Sequence, residues 1–259
     1  DVNVKGTDQL LAFAHRLRGL RMFAHVSSIF VSGDYPGRFY EDWLDVGQPI
    51  SNPVARSKMA AEQHVRAAMR TIPAVVFRPG FLVGDAETGA CDEDRGLFPL
   101  YSLVRRADRS LPPGVPLLAP DGPDRYVPIS PNDWAAEAVL AILSDHGAPG
   151  TTFCLVDPRP PTVRELVDHL SESIGRPIYR IPVALFTKFP LLGPGRILGS
   201  SHAVTRRFGG SPISLYFLLL RNEYDTTNTS RALESTRIRC PSFETYLDRF
   251  YGRFVEEHG

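Results

Sequence analysis

The stretch Ala74-Val75-Val76-Phe77-Arg78-Pro79-Gly80 has the pattern of a buried β-strand that ends abruptly. Its first four residues are apolar, and Pro79 with Gly80 ends the run. Upstream, the apolar spacing predicts a helix over 57–70 and another buried strand over 22–31. A strand, a helix and a second continuous apolar strand are typical of a βαβ unit, so the sequence predicts a parallel sheet in an α/β fold.

Further elements are predicted on both sides of this unit. Thr162 and Glu165 form a capping-box pattern at the start of one helix. Residues 34–53 are rich in Gly, Pro and Asp and are predicted to form a loop. The other predicted helices cover 2–18, 98–106, 132–144, 163–174 and 243–257, and the other predicted strands cover 152–156 and 178–182.

Composition excludes several classes of partner. The chain has 259 residues with 29 basic and 29 acidic side chains, so its formal net charge is zero. This balance argues against nucleic acid or an anionic membrane as the main partner. The longest apolar run, Ile213–Leu220, is too short to span a bilayer.

The cysteines are sparse and far apart. Cys91, Cys154 and Cys240 form no CxxC motif and no Cys/His cluster, so neither a disulfide scaffold nor a zinc site is expected. We predict no bound metal and a reducing, cytoplasmic setting.

Four motifs occur along the chain in a characteristic order. They are NVKGT followed by LL (Asn3–Leu11), HVSSIFVSG (His25–Gly33), SKMAAE (Ser57–Glu62) and RPGFLVG (Arg78–Gly84). Together they resemble the extended short-chain dehydrogenase superfamily. The resemblance implies a partial Rossmann-type parallel sheet flanked by helices, with a smaller C-terminal substrate lobe. It also implies a nicotinamide cofactor, NAD or NADP.

The resemblance assigns roles to particular residues. Members of the superfamily place a Ser or Thr at the end of one strand, and a Tyr and a Lys one turn apart on the next helix. Spacing assigns the first role to Ser28 and the lysine role to Lys58, one of three lysines in the chain. Ser28 would polarise the carbonyl, and Lys58 would bind the nicotinamide ribose. The cofactor-binding residues implied by the resemblance are Ser27, Lys58, Pro79, Gly80 and Phe81.

A narrower resemblance points to one branch of the superfamily. The segments Gly37–Glu41, Leu44–Gln48 and Gly84–Gly89 are similar to the thioester-reductase and fatty-acyl-reductase branch, whose members reduce acyl thioesters with NADPH. The implied substrate is an acyl thioester or another small molecule, carried by CoA or a carrier protein, and NADP is the favoured cofactor. Homo-oligomerisation is left open.

The chain departs from the superfamily in two respects. Val54 occupies the position of the tyrosine, four residues before Lys58, and a valine cannot donate a proton. Loss of a positioned acid or base typically costs about 10²- to 10⁴-fold in rate. The sequence also has no glycine-rich phosphate turn. We expect that turn upstream of Asp1, and we expect residues 1–259 alone to be poorly soluble or to bind no dinucleotide.

Three functions remain open on these residues. The leading hypothesis is an NAD(P)H-dependent reductase of the thioester-reductase type. Val54 favours a catalytically impaired relative that retains the fold. A sugar-nucleotide epimerase or dehydratase is the third, although segment 84–89 and the loop around Leu44–Gln48 speak against it.

Several residues near the motifs have structural interpretations. We expect Glu62 to be a helix-surface or N-terminal electrostatic residue rather than a catalytic acid. We expect Asn3 to bridge a helix and a strand, with a proton-relay role as the alternative, and His25 to be partly buried with its hydrogen bonds satisfied. Tyr40 is the nearest upstream tyrosine and a weak candidate for the missing phenol. Residues 1–84 are predicted to form the later part of the dinucleotide-binding domain. Residues 85–259 are predicted to form the substrate lobe, from which about 126–157 return to the Rossmann core.

Overall fold

A parallel sheet organises the first of the two units into which the chain divides. The computed structural model describes residues 2–91, 97–121, 125–144, 149–182 and 221–258. The first unit comprises Asp1–Phe81, Asp133–Pro158 and Asn222–Cys240, and the second comprises Leu82–Asn132, Arg159–Arg221 and Pro241–Gly259. Residues 222–240, predicted from the sequence to lie in the C-terminal lobe, thus belong to the unit that contains the sheet.

The elements follow one another in this order: α1 (Val2–Ala14), β1 (Phe23–Val26), a 3₁₀ turn (Ile29–Ser32), β2 (Gly37–Phe39), α2 (Pro53–Ala68), β3 (Ala74–Pro79), β4 (Phe81–Leu82), α3 (Phe98–Ser110), β5 (Leu117–Asp121), β6 (Ile129–Ser130), α4 (Asn132–Ser144), β7 (Thr152–Leu155), α5 (Val163–Ile174), β8 (Ile178–Pro182), β9 (Asn222–Tyr224), α6 (Thr227–Leu233) and α7 (Phe243–His258).

The main sheet has the strand order β1-β3-β7, and both pairings are parallel. The predicted βαβ unit is therefore confirmed. Alternate residues of β3 face opposite sides of the sheet. Ala74 and Val76 pack against α1 and α2, whereas Val75 and Phe77 pack against α4 and α6. The sheet is covered on both faces, and for this reason its central strand is apolar throughout.

The strand predicted over 22–31 is shorter than expected. β1 ends at Val26, and the chain turns into the 3₁₀ segment because the Ser28 hydroxyl accepts a hydrogen bond from the Phe30 amide at 3.3 Å. The predicted loop after it contains the short strand β2, which pairs in parallel with β9. No local pattern indicates this pairing, because its two partners are far apart in the sequence.

The boundaries of α1 and α2 also differ from the expectation, and capping explains where α2 begins. α2 begins at Pro53 rather than at 57, because the Asn52 side chain accepts from the Val54 amide at 2.8 Å and proline suits the first helical position. α1 ends at Ala14, and only part of its predicted apolar face is buried. Leu11 and Ala14 are buried, but Leu10 and Phe13 are about 60% exposed.

The second unit has its own core and a two-stranded parallel sheet of β5 and β8. The predicted capping box at the start of α5 is present: the Thr162 hydroxyl accepts from the Glu165 amide, and the Glu165 carboxylate accepts from the Thr162 amide at 2.7 Å. α3 and α7 are joined by aromatic packing of Tyr101 against Tyr251 and Phe254.

Within the described part of the chain, no helix is long and apolar enough to cross a membrane. The apolar run Ile213–Leu220, which the sequence shows to be too short for a span, lies outside the described residues. Most of the segment 183–222, which has no clear sequence pattern, also lies outside them.

Gly33 is the position where the turn after β1 demands glycine. Its φ is +52°, and a Cβ there would lie 2.2 Å from the Pro49 carbonyl oxygen. We expect Gly33→Ala to lower the free energy of unfolding by about 2 kcal/mol or more, measured by urea denaturation.

Gly6→Ala is the matched control. Gly6 lies within α1, and a Cβ there meets nothing within 4 Å. This change should raise stability by about 0.5–1 kcal/mol, because alanine favours a helix over glycine. Equal effects of the two substitutions would contradict the steric argument.

Candidate functional site

Ser28 and Lys58 both lie at the C-terminal end of β1. Ser28 lies two residues beyond the last strand residue and is half-buried. The Lys58 ammonium donates to the Val26 carbonyl oxygen at 3.3 Å. A hydroxyl and an ammonium are thus placed at the strand end where open α/β sheets bind their ligands.

Val54 lies one helical turn before Lys58, on the same side of α2, and is 57% exposed. An exposed aliphatic side chain therefore stands at the position that the sequence resemblance assigns to the tyrosine. Tyr40, the weak candidate for a substitute, packs edge-on against Trp43 with ring centroids 4.8 Å apart.

Two hydrogen bonds through the Ser57 hydroxyl connect α1 to the start of α2. The Asn3 amide donates to the Ser57 hydroxyl at 2.9 Å, and that hydroxyl donates to the Val54 carbonyl at 2.8 Å. Asn3 therefore bridges two helices, and the prediction that it bridges a helix and a strand was wrong. These two bonds connect the Val54 carbonyl, through the Ser57 hydroxyl, to α1.

The residues that follow β3 are positioned by β7. Gly80 is buried, and its amide donates to the Leu155 carbonyl at 2.8 Å, which extends the strand pairing beyond Pro79. Pro79 and Phe81 are half-buried. This backbone lies at the C-terminal end of the strand next to β1.

Glu62 is fully buried, so the prediction that it lies on the helix surface was wrong. Its carboxylate accepts two hydrogen bonds from the Arg78 guanidinium, at 2.6 and 3.1 Å, and one from Arg66 at 3.0 Å. The Ser27 hydroxyl donates a fourth, at 2.6 Å. One carboxylate therefore joins β1, α2 and β3.

The sequence contained two signals for this cluster. Arg78 stands in an otherwise apolar buried strand, so it requires an anionic partner. Glu62 lies seven residues after Ala55 and three before Val65, both buried, which places it on the inner face of α2.

The two arginines also hold the loop after β2. Arg78 donates to the Glu41 carbonyl at 3.2 Å and to the Trp43 carbonyl at 2.6 Å, and its guanidinium lies 5.6 Å from the centroid of the Phe39 ring. Arg66 donates to the Asp42 carbonyl at 2.9 Å. The branch-like segment around residues 37–48 is therefore attached to the ion cluster through its backbone.

Glu41 provides a second buried carboxylate. It accepts from the Cys154 amide at 2.7 Å and from the Thr229 hydroxyl at 2.9 Å. Burial raises the pKa of Glu41, although these hydrogen bonds oppose the rise. The contacts bind the loop to β7 and α6, which explains how residues 222–240 join the first unit.

His25 is partly buried on β1, as predicted. The prediction that all its hydrogen bonds are satisfied was wrong. Its Nε2 is buried without a hydrogen-bond partner among the described residues. Burial lowers the pKa of His25, Glu62 opposes that change, and Lys58 adds to it. Burial therefore favours the neutral form of this imidazole.

Comparison with known proteins gives one family and several relatives. Residues 1–139 match the NAD-binding family described as Male sterility protein. The chain is similar to the nonribosomal peptide synthetase FrzA of Cladobotryum sp., with 27% identity over 221 residues that cover 82% of this chain and 20% of that protein. It is also similar to the aldehyde reductase lnaA of Aspergillus flavus, with 27% identity over 283 residues that cover 98% of this chain and 25% of that protein.

One solved structure has a similar fold. The terminal R domain from the myxalamid PKS-NRPS biosynthetic pathway matches with a TM-score of 0.75 and 24% identity, over 98% of this chain and 62% of that one. The chain thus spans a quarter or less of these two curated relatives and under two thirds of this domain.

Glu62→Gln tests the ion cluster. Glutamine keeps the shape of the side chain but leaves the Arg78 guanidinium buried without a counter-charge, so we expect a loss of about 3–5 kcal/mol in the free energy of unfolding by urea denaturation. Glu137→Gln, at an exposed position of α4, should change stability by less than about 0.5 kcal/mol. Similar losses from both variants would contradict the role of the cluster.

The same carboxylate should make the fold sensitive to acid. Burial alone would raise the pKa of Glu62, but Arg78, Ser27 and Arg66 together hold it below its ordinary value of 4.5. The stability that ionised Glu62 contributes to the fold is therefore complete above pH 4.5. It is lost as the pH falls through the lower pKa of Glu62 in the folded state. The unfolding free energy of the wild type should fall more steeply below about pH 4.5 than that of Glu62→Gln. Parallel pH profiles would refute this.

Proposed function

The chain belongs to the Male sterility protein family of NAD-binding domains, and from that membership we propose that the protein is an NAD(P)H-dependent reductase of acyl thioesters or related carbonyls. The observation that carries the proposal is the placement of Ser28 and Lys58 at one end of β1. The relatives named as an aldehyde reductase and a nonribosomal peptide synthetase support a thioester held by a carrier protein or CoA. The resemblance to the thioester-reductase branch favours NADPH over NADH.

The residues present fit the nicotinamide end of such a cofactor. Lys58 is half-buried, with an ammonium beside the end of β1 that suits the hydroxyls of a ribose. Gly80 has no side chain, so the backbone from Pro79 to Phe81 can lie against a flat ring. Ser27 directs its hydroxyl to Glu62, so its part in cofactor binding would come from its backbone. The phosphates would need a glycine-rich turn that this sequence does not contain.

In this proposal the chain's own residues orient and polarise the substrate. A reduced nicotinamide, when bound, supplies the hydride to the carbonyl carbon. The Ser28 Oγ already accepts from the Phe30 amide, so its proton is available to the carbonyl oxygen, on which negative charge develops. For a thioester, the carbon–sulfur bond then breaks to give an aldehyde, and the thiolate takes a proton from solvent.

The residue at position 54 determines which group can donate the proton that reduction to an alcohol requires. Reduction of an aldehyde to an alcohol needs a proton on oxygen, and Val54 has none to give. Because Val54 is 57% exposed, water can reach the position next to Lys58 and serve as the donor. Release of an aldehyde from a thioester depends less on a proton donor at the oxygen than reduction of an aldehyde does. This difference favours the thioester as substrate.

The test uses the full-length protein with NADPH and octanoyl-CoA. We expect NADPH consumption and aldehyde formation, and a loss of about 10²- to 10³-fold in kcat for Ser28→Ala. Ser144→Ala, at the exposed end of α4, should be unchanged. Circular dichroism checks that Ser28→Ala is folded, because this serine also caps the 3₁₀ turn.

Val54 also supports a second function, a cofactor-binding protein that has lost catalysis. Under that alternative the wild type is inactive, and Val54→Tyr restores turnover by placing a phenol one turn before Lys58. Turnover by the wild type would rule this alternative out. If neither protein consumes NADPH and calorimetry shows no NADPH binding, both proposals fail.

A further inference from the structure

A cavity of about 500 Å³ lies in the first unit, and its lining includes neither Ser28 nor Lys58. Its walls come from α4, α6, the chain just after β7 and residues 238–240. α4 and α6 cover the face of the sheet opposite to the one covered by α2, which carries Lys58. Its volume is within the range of small-molecule pockets, about 300–1,000 Å³.

Trp134 contributes to the wall of this cavity, but its indole N–H does not reach the cavity surface. Trp134 is only 5% exposed, and its indole N–H is buried without a hydrogen-bond partner among the described residues. Trp134 therefore offers no hydrogen bond from its ring nitrogen to a ligand in this cavity.

The rim of the cavity carries cationic groups. Arg231 is exposed and forms no ion pair with a described residue. Arg239 is held in place by backbone carbonyls, including those of Leu233 and Thr236. Glu234 contributes one negative charge, so the rim has a net positive charge.

The deeper wall is mainly apolar. Val156 and Leu233 are buried, and Pro158, Ile238 and Cys240 complete the apolar lining. A ligand with a hydrocarbon body would bury its surface here, while an acidic head group would lie near the arginine.

We propose that this cavity binds a carboxylate with an aliphatic body, as a site separate from the one at Ser28 and Lys58. The planar guanidinium of Arg231 suits a carboxylate, because its parallel N–H groups can donate to both oxygens. The Ser230 hydroxyl on the rim supplies a neutral donor. The proposal does not depend on the reductase function, since it concerns the opposite face of the sheet.

Calorimetric titration of the full-length protein with sodium octanoate tests the proposal. Octanoate should bind with a dissociation constant on the order of 1 mM or lower, and octanol, which has the same chain without the charge, should bind about tenfold more weakly. Arg231→Gln should weaken octanoate binding about tenfold.

Arg237→Gln is the matched control, because Arg237 is exposed nearby but does not line the cavity. It should leave octanoate binding unchanged. Octanoate should also change tryptophan fluorescence in Trp43→Phe but not in Trp134→Phe.

Three results would overturn the proposal: no binding of octanoate, equal binding of octanoate and octanol, or an equal loss in Arg231→Gln and Arg237→Gln. If Trp134→Phe does not fold by circular dichroism, the comparison of the two arginine variants decides, because both positions are exposed.

Discussion

The buried carboxylate of Glu62 is the contact on which the first unit depends. It faces two guanidiniums and a hydroxyl, and its partners come from β1, α2 and β3. Removing two opposite charges from water costs several kcal/mol per ion, and only a closely hydrogen-bonded geometry offsets that cost. The carboxylate and Arg78 have that geometry, so neither strand nor helix can shift without exposing an unpaired charge to the core.

This cluster also determines the geometry of the candidate site. Ser27 is attached to the carboxylate, which fixes the end of β1 where Ser28 begins the 3₁₀ turn. Lys58 lies one turn before Glu62 on α2, so the helix that carries the carboxylate also brings the ammonium to Val26. Ser28 and Lys58 are thus positioned by the core, while Val54, in the first turn of α2, is left exposed. A substitution at that position can remove a proton donor without disturbing the fold.

The sequence predicted the elements whose signals are local. The βαβ unit followed from continuous apolar runs around Ala74–Pro79, and the capping box of α5 followed from Thr162 and Glu165. The predictions failed where a distant residue supplies the partner. Glu62 was taken for a surface residue because glutamates usually are, and its burial depends on Arg78 from a strand sixteen positions later. The pairing of β2 with β9, and the contact of Glu41 with Thr229, join segments with no common local pattern.

The sequence by itself determined the fold class, the order of the motifs and the register that places Val54 four residues before Lys58. These properties depend on the identity and spacing of residues along one stretch of chain, which is information that a linear pattern contains. The tertiary structure alone decided which charges are buried together, which face of the sheet carries the site and which carries the cavity at Trp134, and how residues 222–240 join the first unit. Those outcomes depend on interactions between groups that are distant in the sequence and meet in a core of low dielectric constant. These interactions form only once the chain has folded.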